Sequence, residues 1–405
     1  MPLVAHSVAD LARSPELRLT LDWFRRERAW INEQHLKLCR VAAPTFLEQK
    51  RAEWMTERFR ELGWEARLDR SGNVVAALPG RRDSAPVAVT AHLDTVLAPR
   101  SPDEIKMSGD GRFLGPGVSD NGAGLAALLA LAAAWSAAPP FPESPLAPLL
   151  IANVGEEGEG NLSGMRYVCR DSNGSRPKAF LVLDGPNTDH ITCRALASRR
   201  FEVSVTGPGG HSWSDYGAGN PIHALSRAIS EFTSSFAAAP ADGAPRSSFN
   251  FGLIQGGTSI NCIPTEARAK VDLRSEKAER IDEMASLLAA AVAQAADAEN
   301  SRATGGRVSA RLKEVGSRPG GELSEGAPIL TSLLAVDAFL GIRSRLDCSS
   351  TDANIPLSIG LPAVSIGAGG QGGGAHTPAE WFHPENRELG LRRILLAVCL
   401  LLLAE

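Results

Sequence analysis

Five imidazole or carboxylate side chains end apolar runs of strand character or lie on the adjacent loops. They are His92, Asp120, Glu157, Asp184 and His376. Nitrogen and oxygen donors without thiolates suit zinc, manganese or cobalt at a catalytic site. Five donors exceed the three protein ligands usual for one open catalytic zinc, but they suit two divalent metals if one carboxylate bridges them. The sequence therefore predicts a two-metal centre.

Other acidic residues near these positions belong to the same pattern. Asp94 follows His92 by two residues, and residues i and i+2 of a strand face the same side, so its carboxylate could hydrogen-bond the imidazole and fix its tautomer. In Ile151–Gly160, IANVGEEGEG, three glutamates follow an apolar run. Like charges raise each other's pKa, so this crowding is costly unless nearby cations offset it. Each acid or histidine alone has an ordinary structural explanation; their joint occurrence at strand ends favours a functional site.

The segments that must position these residues alternate between strand and helix character. PVAVTAHLD, LLIANV and LVLDGP are apolar runs that end in polar or charged residues, as expected of central strands that deliver a site at their carboxyl ends. The Ala- and Leu-rich segment Leu125–Trp135 is typical of a helix that packs tightly on a sheet. We expect an α/β fold with a mostly parallel sheet flanked by helices.

The pattern changes near Leu196. RRFEVSVTGPG alternates like a half-buried antiparallel strand, and it begins the first of two β-α-β units. They predict an inserted α+β domain, a four-stranded antiparallel sheet covered by two helices. The predicted organisation is a catalytic domain in two parts, residues 1–195 and 317–405, interrupted by a lid domain at residues 196–316.

Bulk properties exclude several classes of function. A formal net charge of -4 gives no basic field for nucleic acid. Six cysteines without CxxC spacing predict buried, reduced thiols in a cytoplasmic protein. The N-terminal residues show no secretory signal, and the apolar run Ile394–Ala404 is shorter than the roughly 20 residues that span a bilayer. We therefore expect no membrane partner and a buried C-terminal helix. Neither a phosphate-binding loop motif nor a GxSxG nucleophile elbow occurs.

Eight short motifs occur in order along the chain: AHLDTV, SDNGAG, NVGEEGEG, LDG, GPGGHSW, GGTSINCIP, DLRS and GAHTPAEW. Together, over residues 42–382, they resemble the di-zinc metallopeptidase family of peptidase T, carboxypeptidase G, aminoacylases and succinyl-diaminopimelate desuccinylase. The resemblance implies a zinc-aminopeptidase-like domain interrupted by a lid, with a homodimer formed through the lid. It also makes zinc the favoured metal, with cobalt or manganese as alternatives.

The resemblance assigns roles position by position. It implies one metal held by His92, Asp120 and Asp184, and another held by Asp120, Glu157 and His376. Glu156 would be the general base on a metal-bridging water, and Asp94 the residue that orients His92. A base must keep its lone pairs free of metal, which agrees with separate roles for adjacent glutamates. Glu159 lies outside both functional positions of the motif.

Three residues of the lid also match family positions. His211 matches a histidine that stabilises the oxyanion, commonly from the partner subunit. Asn261 and Arg274 match residues that contact substrate, and an arginine fork suits a carboxylate. The structural alternatives are an ordinary histidine, a turn asparagine and a surface arginine.

By resemblance, an aspartate at position 184 favours aminopeptidases and dipeptidases over carboxypeptidases and deacylases. We therefore expect a two-metal exopeptidase of tripeptidase or dipeptidase type that acts on short peptides. The alternative is an amidohydrolase that removes the N-acyl group of an amino acid with the same metal site. A catalytically silent scaffold is a third hypothesis, against which the complete set of ligands and base argues.

Overall fold

The computed structural model describes residues 7–80, 87–144, 146–170, 177–236 and 246–404. These residues form two compact units. Unit 1 comprises the chain up to Ala195 and from Gly321 onward, and unit 2 is Leu196–Gly320. The lid boundary expected after residue 316 falls inside the strand Ser309–Arg318.

The α-helices are numbered in chain order. They are α1 Val8–Arg13, α2 Pro15–Arg26, α3 Arg28–Cys39, α4 Gln49–Glu61, α5 Gly122–Ala137, α6 Ser163–Val168, α7 Pro221–Ser235, α8 Ala278–Arg302, α9 Pro328–Leu340, α10 Asn354–Ser358 and α11 Arg387–Leu403. The strands are β1 Glu65–Leu68, β2 Val74–Ala77, β3 Val87–His92, β4 Lys106–Met107, β5 Phe113–Leu114, β6 Leu149–Asn153, β7 Ala179–Leu183, β8 His190–Ala195, β9 Ala197–Thr206, β10 Gly210–His211, β11 Ser247–Gly256, β12 Cys262–Ile263, β13 Glu266–Ser275, β14 Ser309–Arg318, β15 Gly321–Glu322, β16 Arg345–Ser349, β17 Ala363–Ile366, β18 Gln371–Gly373 and β19 Trp381–His383.

Unit 1 is built on a large mixed sheet in the order β1-β2-β6-β3-β7-β17-β8-β15, with β16 also paired to β8. The central strands β6, β3, β7 and β17 are parallel. The pairs towards the edges are mostly antiparallel, including the β1–β2 hairpin. The predicted α/β class is confirmed, and the parallel arrangement holds at the centre of the sheet, where the strands are buried and joined through helices.

Helix α5 is the most deeply buried helix of unit 1, because its alanines and leucines leave no polar face. Asn121 caps its first turn through an Oδ1 that accepts from the Gly124 N–H at 3.1 Å. The C-terminal helix α11 is also largely buried, as its apolar sequence predicted. None of the helices in the described ranges combines the length and apolar character needed to cross a membrane.

Unit 2 is a four-stranded antiparallel sheet in the order β11-β13-β9-β14, against which α7 and α8 pack. Alternate residues of β13 are buried, so that one face of the sheet forms a separate core with the two helices. The predicted α+β architecture of the insert is confirmed. A two-residue ribbon, β10 with β12, extends from this unit.

The cysteines agree only in part with the expectation of buried thiols. All six are free; Cys39, Cys169, Cys193 and Cys399 are buried. Cys262 is exposed and Cys348 is partly exposed, because they lie on the short ribbon strand β12 and on the peripheral strand β16.

Candidate metal centre

Three adjacent parallel strands of unit 1 end at the same edge of the sheet. β3 ends in His92, β6 leads into Glu156 and Glu157, and β7 leads into Asp184. Because β3 pairs with both β6 and β7 in parallel register, their carboxyl ends carry these side chains to one place. The strand pattern of the sequence is thus what assembles half of the site.

Two groups of possible ligand atoms form at this edge. In each group the donor atoms lie within 4.8 Å of one another: His92, Asp120 and Asp184 in one, and Asp120, Glu157 and His376 in the other. His92 Nε2 is 3.1 Å from Asp120 Oδ1 and 3.9 Å from Asp184 Oδ1. The structure therefore brings together all five predicted ligands, in the two sets that the resemblance implies.

Asp120 belongs to both groups, and its two oxygens face different histidines. Oδ1 lies by His92, whereas Oδ2 is 3.0 Å from His376 Nε2. The same His376 nitrogen is 2.9 Å from Glu157 Oε1. A carboxylate that offers one oxygen to each of two groups is suited to bridge a pair of metal ions.

The donor set fits divalent metals. It consists of imidazole nitrogens and carboxylate oxygens, the combination found in catalytic zinc sites. Without a cation, several acids at one sheet edge would repel one another. One further acid lies beside these groups: Glu156 forms a third cluster with His92 and Glu157, again within 4.8 Å. Glu159, in contrast, is exposed on a 3₁₀ turn, Gly158–Gly160.

The Asp94 carboxylate is fully buried. It lies near His92, and it also accepts hydrogen bonds from the backbone of the adjacent Glu156 and Glu157. Its Oδ1 accepts from the Glu156 N–H at 3.0 Å, and its Oδ2 accepts from the Glu157 N–H at 2.9 Å. The Thr45 hydroxyl donates to Oδ2 at 2.9 Å. Asp94 thus fixes two successive peptide groups, through the N–H of Glu156 and the N–H of Glu157.

The tautomer of His92 is set by two acceptors from Asp94. Its Nδ1 is 3.0 Å from the Asp94 backbone carbonyl and 3.5 Å from the Asp94 carboxylate Oδ1. An Nδ1–H donated to the carbonyl leaves the Nε2 lone pair pointing towards Asp120 and Asp184, as a metal ligand requires. The main chain therefore shares the orienting role that the sequence assigned to the Asp94 side chain.

The titratable side chains at the site strongly shift one another's pKa values. Hydrogen bonds that His376 donates to Asp120 and then to Glu157 raise its pKa to about 10. Burial, with the charge of Asp120, raises the pKa of Asp184 to about 7. For Asp120 burial acts in the same upward direction, but bonds with His376 and His92 outweigh it and hold its pKa well below the usual range. Perturbations of this size are typical of functional sites.

Sequence reasoning missed two residues that build the site. Asn121 donates from Nδ2 to the Leu183 carbonyl at 2.8 Å and so ties the Asp120 loop to the end of β7. The buried Glu380 accepts N–H groups of the same loop. Both residues lie inside quoted motifs, SDNGAG and GAHTPAEW: Asn121 directly follows Asp120, and Glu380 follows His376 by four residues.

Two of the three lid residues lie together in unit 2. His211 in β10 pairs with Cys262, and the Ser212 N–H donates to the Asn261 carbonyl at 3.0 Å. The His211 Nδ1 accepts from the Trp213 N–H at 3.2 Å, so the Nε2 of the neutral ring carries the proton.

Arg274 lies on β13 of unit 2, where its Nε donates to Asp272 Oδ2 at 2.6 Å. The Arg274 side chain remains 41% exposed. The bond to Asp272 uses the Nε–H of the guanidinium, and the exposed part of the side chain remains accessible to solvent.

Two family models of known peptidases match parts of this chain. Residues 73–205 match the model of peptidase family M28, and residues 197–300 match a peptidase dimerisation domain. These matches, together with the candidate metal-ligand groups, identify the chain as a metallopeptidase or amidohydrolase. It is therefore a hydrolase, and its metal-ligand groups lie in the unit that carries the peptidase match.

Individual relatives of this metallopeptidase include a succinyl-diaminopimelate desuccinylase from Paracoccus denitrificans, which is 30% identical over 45% of this chain and 50% of its own. Among solved structures, the aminopeptidase PepT from Bacillus cereus has a TM-score of 0.69 at 21% identity, covering 93% of this chain and 98% of its own. A tripeptidase from Staphylococcus aureus has a TM-score of 0.71 at 18% identity, with the same shares covered. The two solved structures share the fold of this chain.

Proposed function

We propose that this metallopeptidase is a two-metal exopeptidase that releases N-terminal residues from short peptides, as a tripeptidase or dipeptidase. The observation that supports this most directly is the pair of ligand groups sharing Asp120, with Glu156 beside them. His92, Asp120 and Asp184 would hold one divalent metal, and Asp120, Glu157 and His376 the other; the proposed metal is zinc, with cobalt or manganese as alternatives. When bound, two such ions lower the pKa of water and polarise the carbonyl that is to be attacked.

Glu156 is the proposed general base. Its side chain is 5% exposed, and its backbone N–H is held by Asp94. In the proposed reaction, the Glu156 carboxylate accepts a proton from the attacking water and then donates it to the leaving nitrogen. Glu157, fixed by the same aspartate, faces His376 instead, so that adjacent residues serve the proton and the metal separately.

The test is metal analysis of the purified protein combined with hydrolysis of a panel of alanine dipeptides and tripeptides. We expect about two divalent ions per chain and release of the N-terminal residue, with activity lost after chelation and restored by zinc, cobalt or manganese. Intact peptides in the presence of two bound metals would refute peptidase activity.

The second candidate is removal of an N-acyl group from an amino acid. The match to a desuccinylase supports it, since the same metal site would cleave an acyl amide. Parallel assays of N-acetyl and N-succinyl amino acids decide between the two. Faster cleavage of the acyl amino acids than of every peptide would favour the amidohydrolase.

We further propose that the protein acts as a homodimer formed through unit 2, and that the His211 Nε2–H donates to the oxyanion on the scissile carbonyl. The dimerisation-domain match supports the first part, as does the edge strand β11, where Ile254 is 61% exposed. Mixing Glu156→Gln and His211→Ala proteins tests both. Recovery of activity in mixed dimers is expected if His211 serves the partner's site, whereas full activity of the His211→Ala protein alone would refute the role.

A further inference from the structure

Glu380 is a buried carboxylate that no ligand role explains. Its side chain is 3% exposed, and its pKa is raised because burial disfavours the charged form. Oε1 accepts from the Ser119 N–H at 2.7 Å and the Asp120 N–H at 2.8 Å, and Oε2 accepts from the Gly117 N–H at 2.7 Å. One side chain thus takes three backbone donors from the four residues that end in Asp120.

The carbonyl groups of the same loop also have hydrogen-bond partners. The Val118 carbonyl lies 2.7 Å from the Nε2 of buried His35, whose Nδ1 is 2.6 Å from Arg387 Nη2. The Cys39 thiol donates to the Gly117 carbonyl at 3.4 Å. With both its donors and its acceptors bound, the loop has little freedom to move the Asp120 carboxylate.

Glu380 also belongs to the segment that carries His376. The Glu380 N–H donates to the Thr377 carbonyl at 3.2 Å, and the Gly115 N–H donates to the Glu380 carbonyl at 3.1 Å. His376 itself has a positive φ of 63°, a conformation that non-glycine residues keep only when their surroundings enforce it. Glu380 therefore connects two ligand loops that lie some 256 residues apart in sequence.

We propose that Glu380 is the positioning residue that sets the Asp120 and His376 loops for one metal of the pair. It acts through the backbone and touches neither metal nor substrate. This inference rests on the metal-binding part of the proposed function. It assigns Glu380 mainly to the metal of Asp120, Glu157 and His376, because only that group contains both of the loops that Glu380 connects.

The experiment titrates metal-free protein with Zn²⁺ by calorimetry and counts bound ions after dialysis. Glu380→Ala should weaken one of the two metal sites by about 10- to 100-fold, as is usual when a residue supporting metal ligands is lost. Glu380→Gln keeps one acceptor oxygen for the Ser119 and Asp120 N–H groups, so its metal affinity should fall less than that of Glu380→Ala. His376→Ala and Asp184→Ala provide reference titrations in which a known one of the two sites is damaged, and Glu380→Ala should resemble the first.

A matched control is Glu299→Gln in unit 2, another buried glutamate whose Oε1 accepts one backbone N–H, that of Asn220, at 3.0 Å. It should leave both metal affinities unchanged. Two wild-type affinities in the Glu380→Gln and Glu380→Ala proteins, or an equal loss at both sites, would overturn the inference; if Glu380→Ala does not fold, Glu380→Gln decides alone. A wild-type protein that binds no metal would instead refute the proposed function.

Discussion

Replacing Asp94 with asparagine tests how the glutamate pair is held. The carboxylate offers one oxygen to each of two buried peptide N–H groups, those of Glu156 at 3.0 Å and Glu157 at 2.9 Å. Asparagine has a single acceptor oxygen, and its amide group is a donor. Whichever way the side chain turns, one peptide N–H therefore faces another donor.

The magnitude follows from that loss. Leaving a buried donor without its acceptor costs about 1–3 kcal/mol. We expect Asp94→Asn to lower the free energy of unfolding by that amount and kcat by about tenfold or more, since each tenfold in rate corresponds to about 1.4 kcal/mol. Thr45→Val is the matched control, because it removes one donor to Asp94 but leaves both peptide N–H groups paired. The Thr45→Val substitution should lower the free energy of unfolding by about 0.5–1.5 kcal/mol.

Urea unfolding of protein stripped of metal, followed by tryptophan fluorescence, measures the free energy of unfolding. Trp213 alone lies in unit 2; the other tryptophans report unit 1 and are Trp23, Trp30, Trp54, Trp64, Trp135 and Trp381. Peptide hydrolysis measures kcat. If Asp94→Asn unfolds like the Thr45→Val control and keeps the wild-type kcat, then Asp94 does not hold the glutamate pair.

Three further predictions concern the proton, the substrate and the metal. Glu156→Gln should retain both metals while kcat falls by about 10²–10⁴, and an active variant in the hydrolysis assay would remove Glu156 as the base. Arg274→Ala should raise KM for free-acid peptides without changing metal content, and unchanged kinetics would exclude a substrate role. Because the Asp120 and Glu157 bonds raise the pKa of His376 to about 10, metal must displace its proton at neutral pH. Release of the His376 proton should therefore make the apparent Zn²⁺ affinity rise about tenfold per pH unit below pH 10. Calorimetry in buffers of different ionisation enthalpy should show that proton's release. A pH-independent affinity would contradict this prediction.

The central part of the fold was predictable because its signals are local. Apolar runs that end in His92 and Asp184 mark buried parallel strands, and such strands carry their ends to one edge of the sheet. The supporting contacts were not predictable in the same way. Glu380 meets the Asp120 N–H across 260 residues of chain, and no periodicity or spacing records a contact of that kind. The sequence therefore revealed the ligand types, whereas only the tertiary structure shows what orients them.

The same distinction explains why neighbouring glutamates can differ in role. Glu156 and Glu157 have the same chemistry and adjacent positions, so composition alone cannot separate them. Their peptide N–H groups donate to different oxygens of Asp94, and this fixes the backbone that carries the two side chains. Glu157 meets His376, whereas Glu156 clusters with His92 and Glu157 but belongs to neither of the ligand groups that share Asp120. A proton carrier beside a metal ligand thus depends on a buried third carboxylate, that of Asp94, which holds the backbone of both glutamates.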